Sequence, residues 1–129
     1  MAREEVKRSV RVGERIRGEL MEMLLRGDVH DPGVQGVHIS AVRVTDDLGQ
    51  ARIYLRRLSP AAESEQQRAV AAMERASGFI RRELGHRLSL RSVPQLKFFW
   101  DASVDHGLRM EEVFESIRRE REEGEGGDE

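Results

Sequence analysis

The chain has no cysteine, few aromatic residues and no long apolar run, and each absence removes a class of function. None of the 129 residues is cysteine, which excludes disulfides and thiolate catalysis and fits a reducing compartment. No apolar run approaches the roughly 20 residues that a membrane-spanning helix needs. No segment joins a basic start, an apolar middle and a small-residue cleavage site. We therefore expect a cytoplasmic protein that makes no membrane contact.

Charged side chains are abundant, at 36% of the residues against 38% apolar ones. The net charge of −2 conceals an uneven distribution. The last ten residues, EREEGEGGDE, carry six acidic side chains and one Arg, a local charge of −5, which leaves +3 for residues 1–119. The same ten residues include three glycines and no apolar side chain. We predict one basic domain over 1–119 and an acidic, disordered tail over 120–129.

Hydrophobic periodicity predicts a single α+β domain. A first helix is expected from about Glu5 to Arg26, because its apolar residues are mostly three or four positions apart: Val6, Val10, Ile16, Leu20, Met23 and Leu24. Segments 37–45 and 51–58 are rich in β-formers and flank a short turn at 46–49, which indicates a hairpin. The segment 95–101 predicts a third strand, and its alternation places Leu96, Phe98 and Trp100 on one face, which favours core over a base-stacking platform. A last short helix would present Met110, Val113, Phe114 and Ile117.

A second helical pattern, over residues 68–88, is interrupted in its middle. One stripe holds Val70, Met73, Ile80, Leu84 and Leu88, while the opposite side holds Arg68, Arg75 and Arg82. Ser77 and Gly78 stand between the two halves, where Gly costs a helix about 1 kcal/mol relative to Ala.

Two interpretations of this interruption are open. The helix continues through a tolerated glycine, or it bends because Gly accepts backbone angles that other residues avoid. A bend would place the free N–H groups at the start of the second helix beside Arg75, Arg81 and Arg82, as an anion site suited to a phosphate backbone. Phe79 would then be buried or presented at a corner.

Five separated motifs resemble the bacterial ribosome-binding factor A family, in order and over about residues 6–119. They are RVGERIRGELMEMLL, HDP, TDDLGQARIYL, RASGFIRREL and VPQLKFFWDASVDHGLRMEEVF. The resemblance implies a KH-like fold of the type II arrangement, with the order α-β-β-α-kink-α-β and a three-stranded sheet packed against helices. In that family an Ala-x-Gly kink replaces the usual Gly-x-x-Gly loop, and it corresponds here to Ala76, Ser77 and Gly78. The literal Gly-x-x-Gly at Gly33 to Gly36 precedes the first strand and does not join two helices, so we do not interpret it as the RNA-binding loop.

The resemblance further implies a non-enzymatic factor that binds the immature small (30S) ribosomal subunit and its 16S rRNA. It would assist late maturation and rRNA processing, including growth in the cold, as a monomer without cofactor, and assembly GTPases could take part in its release. The candidate RNA-binding residues are Lys7, Arg8, Arg11, Arg15, Arg68, Arg75, Ala76, Ser77, Gly78, Arg81, Arg82, Arg87 and Arg91. For the four on the first helix, a merely solvated face is an equal alternative. Gly33 and Asp46 stand where the family often has basic residues, which weakens RNA contact near the first turn and hairpin.

Other functions receive less support. Ser103, Asp105 and His106 are too close in sequence to form a catalytic triad readily. His30, His38, His86 and His106 are dispersed and lack the spacing of metal ligands, so we expect no metal site. The main alternative is a protein-interaction adaptor whose arginines solvate the surface or pair with acidic partners. A small-molecule-binding regulatory domain is a second alternative, without a phosphate loop to support it.

Overall fold

The computed structural model describes residues 7–103, 115 and 117–121. Helix α1 spans Arg8–Arg26, and a single 3-10 turn spans Pro32–Val34. Strands β1 (His38–Val44) and β2 (Gln50–Arg56) follow, then helices α2 (Glu63–Arg75) and α3 (Ser77–Leu88), and finally strand β3 (Gln95–Trp100). No helix in these ranges is long and apolar enough to cross a bilayer. The predicted α+β order is confirmed, and the interrupted helix consists of two separate helices.

Each boundary has a local cause. Helix α1 ends because Gly27 adopts a left-handed conformation (φ 75°), which lets the Asp28 N–H donate to the Met23 carbonyl at 2.9 Å. The hairpin turn closes with the Leu48 N–H donating to the Thr45 carbonyl at 2.8 Å. The Asp47 carboxylate accepts from the Gly49 N–H at 2.9 Å, an arrangement typical of Asp in turns.

The three strands form one mixed sheet in the order β1-β2-β3. Strand β2 pairs antiparallel with β1 and parallel with β3, so α2 and α3 form the crossover between two parallel strands. A bulge at Ser40 shifts the β1 register between Ile39 and Ala41.

Helices α1, α2 and α3 pack on one face of this sheet. Strand β2 contributes Ala51, Ile53 and Leu55 to the core, and β3 contributes Leu96 and Phe98. The helical layer adds fully buried residues from all three helices: Ile16, Leu20, Met23, Ala69, Met73, Ile80 and Leu84. The prediction that one side of β3 is core is therefore confirmed.

One detail of the predicted first helix differs from the structure. Val10 is 52% exposed, so its assignment to the apolar stripe was wrong, whereas Val12, which was not assigned to the stripe, is buried in the core. The predicted final helix lies mostly outside the described residues, including Met110, Val113 and Phe114. Residues 117–121 are helical, and Ile117 is 46% exposed.

Candidate nucleic-acid interface

The break between α2 and α3 falls at Ala76, with φ −87° and ψ 0°. The Ala76 N–H donates to the Ala72 carbonyl at 3.1 Å, and the Ala76 carbonyl accepts from the Ile80 N–H at 2.9 Å. Met73 before the break and Ile80 after it are both fully buried, so both helices stay packed against the core across the break. The interpretation as one continuous helix was wrong.

The prediction that Gly78 causes the break, through backbone angles that only glycine would accept, was also wrong. Gly78 is the second residue of α3 and does not have a positive φ. A Cβ on Gly78 would meet no atom within 4 Å. Gly78 is therefore not needed for the backbone angles at the break, and as an exposed residue without a side chain it leaves the surface of α3 open at this point.

A cavity of about 360 Å³ lies beside the break. Its walls come from the turn after α1 and from both helices: Asp28, Val29, His30, Asp31, Ala72, Arg75, Ala76 and Phe79. Phe79 is 39% exposed, so the ring stands at a corner and forms one wall of the cavity. The fold thus brings the Asp31–Pro32 turn and the helix break together.

Asp31 joins the turn after α1 to helix α2 through both of its carboxylate oxygens. Oδ1 accepts from the Gly33 N–H at 2.9 Å, and Oδ2 accepts from Arg75 Nη2 at 2.9 Å and Nε at 3.3 Å. The Gly33 hydrogen bond and the Arg75 guanidinium lower the pKa of Asp31 below its ordinary value. Arg75, predicted as an RNA contact, is consequently paired with an internal carboxylate that the sequence did not reveal as its partner.

Gly33 explains why the turn lies so close to α2. A Cβ on this residue would be 3.0 Å from the Ala72 Cβ and 3.0 Å from the Arg68 carbonyl oxygen. A side chain at position 33 would therefore be crowded by α2, and the literal Gly-x-x-Gly lies before β1 and does not join two helices, as predicted.

Several predicted contacts are engaged within the protein. Arg81 donates to the carbonyls of Val93 (3.0 Å) and Pro94 (3.3 Å). Arg87 pairs with Glu19 at 3.3 Å and Asp28 at 3.2 Å, and its side chain is only 21% exposed. These carboxylates raise the pKa of Arg87, which joins α3 to α1. Arg87 therefore has a structural role in the fold.

The remaining candidates stay available at the surface. Within residues 7–103, the side chains of six exposed candidates make no hydrogen bond or ion pair: Lys7, Arg8, Arg11, Arg68, Arg82 and Arg91. Arg15 is exposed too and reaches the Leu88 carbonyl at 3.5 Å.

The candidates fall into two groups. One surrounds Ala76, with Arg68, Arg75, Ser77, Gly78, Arg81 and Arg82. The other comprises the α1 residues and the end of α3, where Arg15 meets Leu88 and Arg87 meets Glu19. The 12 residues of α3 separate the two ends by roughly 18 Å. The structure therefore does not gather all the candidates at one point.

Comparison with known proteins shows which solved structures share this architecture. The chain is an α+β domain in which helices cover one face of a small mixed sheet, and solved structures share that fold. The crystal structure of ribosome-binding factor A from Thermus thermophilus superposes with a TM-score of 0.58 at 22% identity, over 70% of this chain and 93% of that one. A homology model of the Thermus thermophilus factor, fitted into the cryo-EM map of a 30S complex with ribosome-binding factor A, superposes with a TM-score of 0.51 at 22% identity, over 68% of this chain and 93% of that one.

Sequence comparison identifies the family. The family description "Ribosome-binding factor A" matches residues 8–114. The ribosome-binding factor A of Syntrophobacter fumaroxidans is 39% identical over 115 residues, 89% of this chain and 97% of that protein. The Enterococcus faecalis factor is 44% identical over 112 residues, which cover 87% of this chain and 95% of that protein. This chain belongs to the ribosome-binding factor A family.

Proposed function

We propose that this protein binds the immature 30S subunit through its 16S rRNA and assists late maturation and rRNA processing without catalysing a reaction. It acts in the cytoplasm as a monomer and supports growth in the cold. Assembly GTPases are proposed partners in its release. Family membership supports this function, as does the 30S complex in which the Thermus thermophilus factor was placed.

The observation that carries the proposal is the break at Ala76 between two helices that expose arginines. Arg68 on α2 and Arg82 on α3 lie on opposite sides of the break and are free of ion pairs within the described part of the chain. The start of α3 exposes Gly78, which lets a phosphate backbone approach closely. A KH-like domain would bind RNA at this helix pair, and the order α-β-β-α-α-β suits that arrangement.

Binding would be mainly electrostatic. Each phosphate that a Lys or Arg neutralises lowers the logarithm of the binding constant by roughly 0.7 to 0.9 for each tenfold rise in salt. Specificity would come from RNA shape, because the exposed side chains at this site are mostly cations that contact phosphates and not base edges.

The test is sedimentation with purified small subunits at increasing salt. Arg68→Glu/Arg82→Glu is the informative variant, since Arg75 is already paired with Asp31. Arg26→Glu/Arg118→Glu is its matched control, because it makes the same charge change at two exposed arginines, each of which, among the described residues, forms an ion pair with a neighbouring Glu on its own helix. We expect the first variant to bind more weakly, with a smaller salt slope, and the control to bind as the unmodified protein does. Equal binding by both variants would refute the proposed surface, and retained binding to a protein partner alone would favour the adaptor.

A further inference from the structure

The face of the sheet that no described helix covers carries a regular pattern of side chains. On β2, Arg52, Tyr54 and Arg56 alternate with the buried Ala51, Ile53 and Leu55 and so point away from the helices. On β3, Lys97 and Phe99 alternate with the buried Leu96 and Phe98. This open face lies on the opposite side of the domain from the break at Ala76.

One row across this face is entirely cationic. Arg43 on β1 pairs in register with Arg52 on β2, and Arg52 pairs in register with Lys97 on β3. All three side chains are exposed, and among residues 7–103 no carboxylate lies within ion-pair distance of them. Like charges directly opposite each other destabilise a sheet. A polyanion bound along this row of three, which is roughly 10 Å across at the usual strand spacing, would relieve that repulsion.

The neighbouring row is aromatic. Tyr54 and Phe99 are register partners, and their rings stack with centroids 5.6 Å apart and an interplanar angle of 28°. Phe99 is 40% exposed. The row lies two residues along the strands from the cations, or roughly 7 Å away. Phosphates over the cationic row would thus leave bases within reach of the rings.

We propose that this open face, formed by Arg43, Arg52, Tyr54, Lys97 and Phe99, binds a single-stranded RNA segment. The cations neutralise its phosphates, and the two rings stack on its bases, a combination that serves sequence-tolerant single-strand binding. Duplex RNA is a poor occupant, because its bases are stacked on one another and cannot reach the rings. The inference rests on the proposed RNA-binding function and adds a second surface, so that one domain would hold RNA on both of its faces.

The test measures fluorescence anisotropy of a labelled oligouridine of about ten nucleotides, with the full-length chain. Tyr54→Ala/Phe99→Ala should weaken binding by about 5-fold to 150-fold, the range for loss of stacking on one base. Tyr54→Phe/Phe99→Tyr keeps both rings and should bind within about 2-fold of the unmodified protein. Arg52→Gln/Lys97→Gln should reduce the salt slope by roughly 0.7 for each lost contact. A duplex of the same length should bind without sensitivity to the ring substitutions.

Thermal melts separate a binding defect from unfolding, and all titrations are run well below the midpoint of the least stable variant. Arg26→Gln is the control for charge, and Leu25→Ala is the control for loss of an exposed apolar side chain, since Leu25 is 76% exposed on α1.

The outcomes distinguish the two proposals. If the ring and cation variants bind oligouridine as tightly as the unmodified protein, the open face is not an RNA platform. The open face is also not an RNA platform if the unmodified protein sediments with small subunits but binds no oligouridine. This result would not contradict the proposed RNA-binding surface at Ala76. If Tyr54→Ala/Phe99→Ala no longer sediments with small subunits but still binds oligouridine, the open face contacts a ribosomal protein and the RNA assignment is overturned.

Discussion

The carboxylate of Asp31 and the guanidinium of Arg75, 44 residues apart in sequence, meet at 2.9 Å beside the helix break. This ion pair neutralises one of the arginines closest to Ala76. Any phosphate that binds Arg75 must therefore compete with Asp31 or share the cation with it.

Asp31→Asn should strengthen binding to small subunits. The amide oxygen can still accept from the Gly33 N–H, so the turn is retained while Arg75 loses its competing anion. We expect tighter sedimentation at each salt concentration and a steeper salt slope, by roughly 0.7 to 0.9 if Arg75 then meets one phosphate. Unchanged affinity and slope would mean that Arg75 does not contact RNA. Glu22→Gln is the control, because it frees Arg26, an arginine remote from the break.

Acid should destabilise the protein through carboxylates whose pKa values are lowered by folding. Hydrogen bonds from Ser103 and Ser40 lower the pKa of Asp101 below 3.8, and nearby Arg56 adds to this effect. A lowered pKa contributes stability above the unfolded value, and that stability is lost as the pH falls through the folded value. Urea unfolding should show Asp101→Asn to be less stable than the unmodified protein at pH 7. The difference should shrink below about pH 4, and a gap that stays constant with pH would contradict this account.

Gly33→Ala should destabilise the fold by about 1 to 3 kcal/mol, the usual cost of overpacking. The added Cβ would lie 3.0 Å from both Ala72 Cβ and the Arg68 carbonyl, and the latter is backbone that cannot turn aside. Gly18→Ala is the matched control, since Gly18 is exposed within α1 and a Cβ there meets nothing within 4 Å. That change should stabilise by about 0.5 to 1 kcal/mol. Equilibrium urea denaturation measures the free energy of unfolding of both variants. An unchanged value for Gly33→Ala would show that α2 shifts to accommodate the added methyl group at little cost.

Gly78→Ala should raise stability and lower RNA affinity together. The helical φ and the open space favour Ala by up to about 1 kcal/mol. A methyl group on the exposed surface of α3 would nevertheless obstruct a phosphate backbone that approaches there. Thermal melts and sedimentation with subunits give the two readouts. Higher stability with undiminished binding would exclude close contact at Gly78, and lower stability would contradict the assigned geometry.

Much of the fold could be predicted because its signals are local. Alternation along β3 identified Leu96 and Phe98 as one face, and helical spacing identified Met73, Ile80 and Leu84 as another. Ser77 and Gly78 marked the interruption to within two residues. Helix ends are set by short-range hydrogen bonds, so the observed break at Ala76 differs only slightly from the predicted position.

The candidate interface was less predictable. A row of arginines on a helical wheel shows which side chains face solvent but not which carboxylates come near them. Arg87 meets Glu19 across 68 residues of sequence, and Arg75 meets Asp31 across 44. Both pairs depend on how α1 and its following turn pack against α2 and α3, and no local pattern encodes that.

The sequence by itself determined the order of the helices and strands, the composition of the core and the place of the interruption, because each follows from the spacing of neighbouring residues along the chain. Only the tertiary structure decided which arginines are free, that Gly33 is needed for close packing, and that Arg43, Arg52 and Lys97 share one row. These features arise from contacts between distant segments, and strand register and helix packing bring such segments together only in the folded domain.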